Sequence, residues 1–151
     1  MNLSSRQSFK EKTMNLADYF DRVKGIGVLG TADSEGKVDL AIYARPHVVD
    51  NHTVAFIMRD RRSHAHVAAN PHAAYLFIEH GEGYKGLRLY LTRTAEEDDP
   101  KKIEAIRRRS RKDEDTPQTK AFLVYFTVDE VRSLAGSSVV SSQQDRSSVV
   151  D

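Results

Sequence analysis

The stretch that most constrains the fold runs through the middle of the chain. Thr53-Val54-Ala55-Phe56-Ile57-Met58 is a β-rich apolar run, followed by the cationic segment Arg59-Asp60-Arg61-Arg62-Ser63. Residues 64–69 then have helical composition, Asn70-Pro71 stops them, and residues 73–78 are apolar again. The order predicted is strand, cationic turn, one or two turns of helix, strand. Two guanidinium groups and a hydroxyl stand where a strand passes into a helix N-terminus. Unpaired backbone N–H groups and the helix dipole favour an anion there, and an Arg fork suits a phosphate. Arg45, at the end of the preceding strand, supplies a third guanidinium. The competing reading is an exposed turn in which Asp60 or Ser63 caps the helix.

The rest of the chain gives the neighbours of this turn. Leu16, Tyr19, Phe20 and Val23 recur at helical spacing, and Gly25 is expected to end that helix. Residues 26–31 and 38–43 read as strands around the turn Asp33-Ser34-Glu35-Gly36, with Val38, Leu40 and Ile42 on one face. Pro46 bends or ends the second strand, and Asp50-Asn51-His52 is a turn. Residues 87–93 and 121–128 are the last two strands. Asp99-Pro100 starts a helix expected to run to about Arg111, and residues 129–134 read as a helical turn. The total is six short strands with small helices between them. Strands this close in sequence pair mostly antiparallel and curl into a barrel.

At 151 residues, with 39% hydrophobic and 30% charged, the chain is expected to be a single soluble domain over residues 1–135. The Ser- and Gln-rich residues 136–151 are expected to be a disordered tail. The absence of cysteine excludes disulfides and thiolate chemistry, and a formal net charge of +1 suggests no bulk polyanion or membrane partner. No apolar run approaches a membrane span, and Lys10, Glu11 and Lys12 interrupt any signal-peptide core, so the expected location is cytoplasmic.

Several motifs fail their context. G-x-G-x-x-G occurs at residues 25–30 and 81–86, but a dinucleotide loop must follow a strand and open a helix. The first match follows a helix and the second lies between strands, which suggests close packing at a helix end and a hairpin loop. His64 and His66, two apart on a helix, are a poor chelating pair; solvated histidines and no metal site are expected. The bases Lys101, Lys102, Arg107, Arg108, Arg109, Arg111 and Lys112 sit among eight carboxylates between Glu96 and Asp115. An ion-paired helix is expected there, not a nucleic-acid surface. No nucleophile–base–acid set is visible, so no catalytic residue is assigned.

In its element order the chain resembles the pyridoxamine-5′-phosphate-oxidase-like family of FMN-binding split barrels. The resemblance is carried by Gly27-Val28-Leu29-Gly30-Thr31-Ala32-Asp33 with Gly36, by the strand ending at Arg45, and by Val54-Ala55-Phe56-Ile57-Met58 leading through Arg61-Arg62-Ser63 to Asn70-Pro71 and Ala74-Tyr75-Leu76-Phe77. It covers roughly residues 16–128. It implies a mainly β, six-stranded antiparallel Greek-key split barrel with short helices. It also implies a homodimer with FMN in clefts at its interface, and an oxidoreductase acting on a small molecule. The ring would lie along Ile42, Tyr43, Ala44 and Arg45 with Ile57 and Met58, and the phosphate on Arg61, Arg62 and Ser63. The family's usual Ser-x-Lys falls on Arg61-Arg62-Ser63, so hydroxyl and cation are transposed. The chain has no Trp and no C-terminal Arg-x-His element, which argues against vitamin B6 oxidation. Alternatives on the same barrel are haem binding and deazaflavin binding.

Overall fold

A computed structural model describes residues 14–107 and 120–135. The residues 136–151 expected to form a tail, and Arg108, Arg109, Arg111 and Lys112 of the basic segment, lie outside the described residues. Helix α1 (Leu16–Arg22) starts at Asn15, whose side chain accepts the Asp18 N–H, and buries Leu16, Tyr19 and Phe20. It ends at the extended cap Val23, two residues before the expected stop, because Gly25 already belongs to a strand.

The strands are β1 (Gly25–Ala32), β2 (Val38–Ile42), β3 (His47–Asp50), β4 (Thr53–Arg59), β5 (His72–Glu79), β6 (Gly86–Glu97) and β7 (Ala121–Ser133). Helix α2 (Arg62–Ala69) joins β4 to β5, and α3 (Pro100–Ile106) follows β6. All strand pairs are antiparallel in one open sheet of order β2-β1-β5-β6-β7-β4-β3.

The expected strand count of six is corrected to seven. The additional strand, β3, has only four residues, shifts register against β4 between Val48 and Asp50, and follows directly on the bend at Pro46. The expected helical turn at 129–134 is also corrected: β7 continues to Ser133. Val128 and Val131 are both buried although three residues apart, a helix-like spacing. A register shift opposite Tyr90 and Leu91 produces it, since one extra residue in a bulge turns the following side chains over. Helix α3 ends at Ile106 with Arg107 as an extended cap, short of the expected Arg111.

The sheet is strongly curled. Phe56 of β4 packs on Tyr75 of β5 with ring centroids 5.0 Å apart, although β6 and β7 stand between those strands in the sheet. The core lies inside this curl, where Leu29, Met58, Phe77, Leu89 and Phe126 are almost wholly buried. The edge strands β2 and β3 are consecutive in the chain, joined by residues 43–46.

Candidate functional site

A cleft of about 560 Å³ opens at that link. Tyr43, Ala44 and Arg45 of the link line it, with Phe56 and Ile57 of β4, Phe77 of β5, and Lys24, Gly25, His47, His80 and Arg107. No carboxylate of the described residues is among them.

The link is held at several points. The Tyr43 N–H donates to the Gly27 carbonyl at 3.0 Å, and the Tyr75 hydroxyl donates to the Tyr43 carbonyl at 3.0 Å. The Arg45 guanidinium donates to the Val23 carbonyl at 3.1 Å, which fixes it against the end of α1. These contacts explain one glycine of the first G-x-G-x-x-G match. A Cβ at Gly27 would lie 1.9 Å from the Tyr75 hydroxyl oxygen, so this position admits no side chain. The second match is a loop between β5 and β6, as expected, and Gly81 and Gly83 take positive φ there.

The cationic turn is built differently from a capped helix start. Arg61 occupies the N-cap in extended conformation, and no side chain caps α2. The expectation that Asp60 or Ser63 caps the helix is therefore corrected. Ser63 is buried, 6% exposed, and its hydroxyl is hydrogen-bonded to the Tyr43 phenol. Burial pushes the Tyr43 phenol above its ordinary pKa, an effect that the Ser63 bond and the nearby Arg61 charge only partly offset. Tyr43 thus touches both the cleft and the turn.

The residues singled out from sequence separate into groups. Tyr43, Ala44, Arg45 and Ile57 line the cleft. Ser63 is hydrogen-bonded to Tyr43, and the Arg61 charge acts on the same phenol. Arg62 is largely exposed and pairs with Asp39 of β2 at 3.6 Å. The Met58 side chain is fully enclosed in the core, and Ile42 is 73% exposed on the outer face of β2. Sequence reading missed Lys24, His47, Phe56, Phe77, His80 and Arg107. They come from five separate segments, and only the curl brings them together.

Two histidines anchor α2 and with it the turn. The His64 ring stacks on Phe122 with centroids 3.9 Å apart, and its Nε2 lies 2.9 Å from Glu96 Oε1. Arg93 donates to the same oxygen at 3.1 Å. His66 Nδ1 lies 2.9 Å from the buried Thr31 hydroxyl. The expected solvated histidines are corrected for this pair: both are packed and hydrogen-bonded, and they face different strands. Burial pushes the Glu96 carboxyl up, but the Arg93 and His64 hydrogen bonds outweigh it and hold the group below the ordinary range. Among the described residues no group of three or more His, Asp or Glu is arranged to hold a metal ion. No described helix is long and apolar enough to cross a membrane. The expected ion pairs of the charged segment are present in its described part, as Lys102 with Glu97 and Arg107 with Glu104.

No family model matches the chain, and no curated protein matches it by sequence. Solved structures do match it. An FMN-binding protein from Syntrophomonas wolfei superimposes with TM-score 0.65 at 13% identity, over 86% of this chain and 88% of that one. An F420 reductase gives TM-score 0.60 at 14% identity, over 76% and 94% of the two chains. A pyridoxamine 5′-phosphate oxidase-like protein from Listeria innocua gives TM-score 0.58 at 17% identity, over 80% and 96%. At such identities the likeness speaks for fold, and it bears out the resemblance at that level: the chain has the fold of the pyridoxamine 5′-phosphate oxidase-like split-barrel proteins.

Proposed function

We propose that the protein binds FMN in the cleft at residues 43–46 and serves as a flavin-dependent oxidoreductase on a small molecule. The observation that carries this reading is Tyr43, which lines the cleft and is hydrogen-bonded to Ser63, with the Arg61 charge acting on the same phenol. The cleft passes a test of fit. Its volume lies in the range of roughly 300–1,000 Å³ usual for ligand pockets. Its walls combine the aromatic rings of Tyr43, Phe56 and Phe77 with the Arg45 guanidinium. That combination suits a planar apolar group carrying negative charge.

On this reading Tyr43, Ala44, Arg45 and Ile57 hold the ring, and Arg61 and Ser63 hold the phosphate with Arg62 beside them. Ile42 and Met58 contribute backbone only, since their side chains point outward and into the core respectively. A bound flavin supplies the electron or hydride chemistry itself. The protein's part is to orient it, exclude water and place the Arg45 charge near the ring, which would favour a reduced, anionic form. No general acid or base is required.

The reading includes a homodimer. Val38, Leu40 and Ile42 are 78%, 72% and 73% exposed and form one apolar stripe on edge strand β2. A stripe of that kind on a soluble chain marks a contact surface. The fold likeness to an F420 reductase supports a deazaflavin as the second reading.

Absorbance of the purified protein and titration with FMN test the proposal. Flavin bands, or uptake of FMN with quenching of its fluorescence, are expected. Replacing Arg61 and Arg62 together with Ala is expected to weaken FMN about ten- to a hundredfold, the loss of charge-assisted hydrogen bonds. Unchanged affinity refutes the phosphate assignment. A protein that ignores FMN but takes up F420 points to the deazaflavin reading, and a Soret band points to haem.

A further inference from the structure

We propose that the cleft also receives a second, anionic ligand: a small molecule with two or more carboxylate or phosphate charges, held by Lys24, His80 and Arg107. This rests on the reading that the flavin ring lies along residues 43–45. Five basic residues line the cleft, namely Lys24, Arg45, His47, His80 and Arg107, and no described carboxylate does. The flavin's own phosphate is assigned to Arg61 and Ser63, neither of which lines it. The basic lining therefore exceeds what one phosphate requires.

The three named residues converge from separate elements. β1 and β5 begin and end side by side, with Gly25 opposite Glu79. The approach is close, since a Cβ on Gly25 would lie 2.1 Å from the Ile78 carbonyl oxygen. Just beyond this pair the His80 N–H donates to the Lys24 carbonyl at 2.9 Å, which sets both side chains at the same rim of the cleft. Arg107 enters from the end of α3, where its backbone N–H donates to the Glu104 carbonyl at 3.3 Å.

Two described carboxylates stand beside these bases in the chain. Glu79 accepts the Tyr19 hydroxyl at 2.6 Å. Glu104 lies 3.4 Å from Arg107 Nε but is 68% exposed, so that pair is a weak surface one and leaves the guanidinium fork able to take a second anion. Arg45 is committed to Val23, which is why it is left out of the binding set. A cleft lined by one sign of charge, with aromatic walls, concentrates ions of the other sign. A Lys, an Arg fork and an imidazole N–H are the donors that carboxylate and phosphate groups accept from.

The test is calorimetric titration of the FMN-loaded protein with citrate and, separately, with inorganic pyrophosphate. Binding of either probe is expected, citrate alone indicating a polycarboxylate and pyrophosphate alone a phosphate ligand. The Lys24→Glu/Arg107→Glu variant is expected to weaken that probe about tenfold or more with FMN affinity unchanged. Lys24→Gln/Arg107→Gln, milder for folding, is expected to weaken it in the same direction. Three results overturn the proposal. Neither probe binds; or both variants bind it as tightly as the parent; or FMN affinity falls in step with probe affinity, which would make these bases the flavin phosphate site. Should the protein take up no FMN, the flavin reading fails on its own. The same titrations of the flavin-free protein then decide the anion site by the same criteria.

Discussion

The hydroxyl of Tyr75 donates to the main-chain carbonyl of Tyr43 at 3.0 Å, tying the middle of β5 to the link between the two sheet edges. The bond needs a bare backbone at Gly27, where a Cβ would lie 1.9 Å from the hydroxyl oxygen and 2.6 Å from the Tyr43 carbonyl oxygen. Gly27→Ala is therefore expected to destabilise the fold by about 1–3 kcal/mol, the usual cost of overpacking. Tyr75→Phe is expected to cost about 1 kcal/mol by losing the hydrogen bond. Because Tyr75→Phe also removes the nearest clashing atom, the double variant should lose less than the two costs combined. Urea denaturation measures all three, and strictly additive losses would show that the two sites do not share this contact.

The Glu96 carboxyl is held below its ordinary pKa by Arg93 and His64, against the opposing effect of burial. A carboxylate depressed in the folded state adds stability that is fully present above its unfolded value, about 4.3, and is lost as pH falls through the lower folded value. Melting temperature is thus expected to drop as pH falls below about 4, and Glu96→Gln is expected to make that drop shallower. Asp33, lowered chiefly by the Lys37 backbone N–H, and Glu97, lowered chiefly by the Tyr125 hydroxyl, leave a residual acid dependence in the variant. An acid limb identical to the parent's would refute the role given to Glu96.

The sequence carried much of this arrangement where a local signal coincides with a local cause. The 53–78 stretch is legible because strand composition, the Asn-Pro stop and the cationic turn each act over a few residues, and β4, α2 and β5 follow in that order. Asn15 and Asp99 cap their helices for the same local reason. What escaped is non-local. The bulge that places Val128 and Val131 on one side is set by the pairing of β7 with β6, not by residues near it. β3 depends on β4 beside it for its pairing. His64 and His66 look like surface residues in sequence and acquire their roles only from Glu96, Phe122 and Thr31 on distant strands. The cleft was half legible: Tyr43 to Arg45 form one run, whereas Lys24, His80 and Arg107 arrive there through the curl.

The apolar stripe of β2 gives a prediction about assembly. Leu40 is 72% exposed and lies opposite Gly30 in the sheet. Leu40→Lys is expected to leave monomer stability within about 0.5 kcal/mol, as for most surface changes, while shifting the proposed dimer towards monomer. Sedimentation velocity over a range of protein concentrations reads the shift. A parent chain that is monomeric throughout, or a variant that dimerises as before, removes this face from the proposed interface.

Tyr43 and Ser63 give the sharpest test of how cleft and turn are joined. The hydrogen bond between their hydroxyls is the direct link between the aromatic wall and the start of α2. The Tyr43 ring also packs edge-on against Phe56, with centroids 5.7 Å apart, so Tyr43→Phe keeps the wall and deletes only the bond. Since the phenol is pushed above its ordinary pKa, it is protonated near neutrality and available to donate or accept. Tyr43→Phe and Ser63→Ala are each expected to weaken FMN about two- to tenfold, the value of one net hydrogen bond of roughly 0.5–1.5 kcal/mol. Together they should weaken it less than the two losses combined, because both remove the same bond while Ser63→Ala also removes a phosphate contact. FMN fluorescence titration of the four proteins closes the cycle. Independent, additive losses would mean that Ser63 acts on the cofactor without Tyr43, and the joining role given to this pair would be lost.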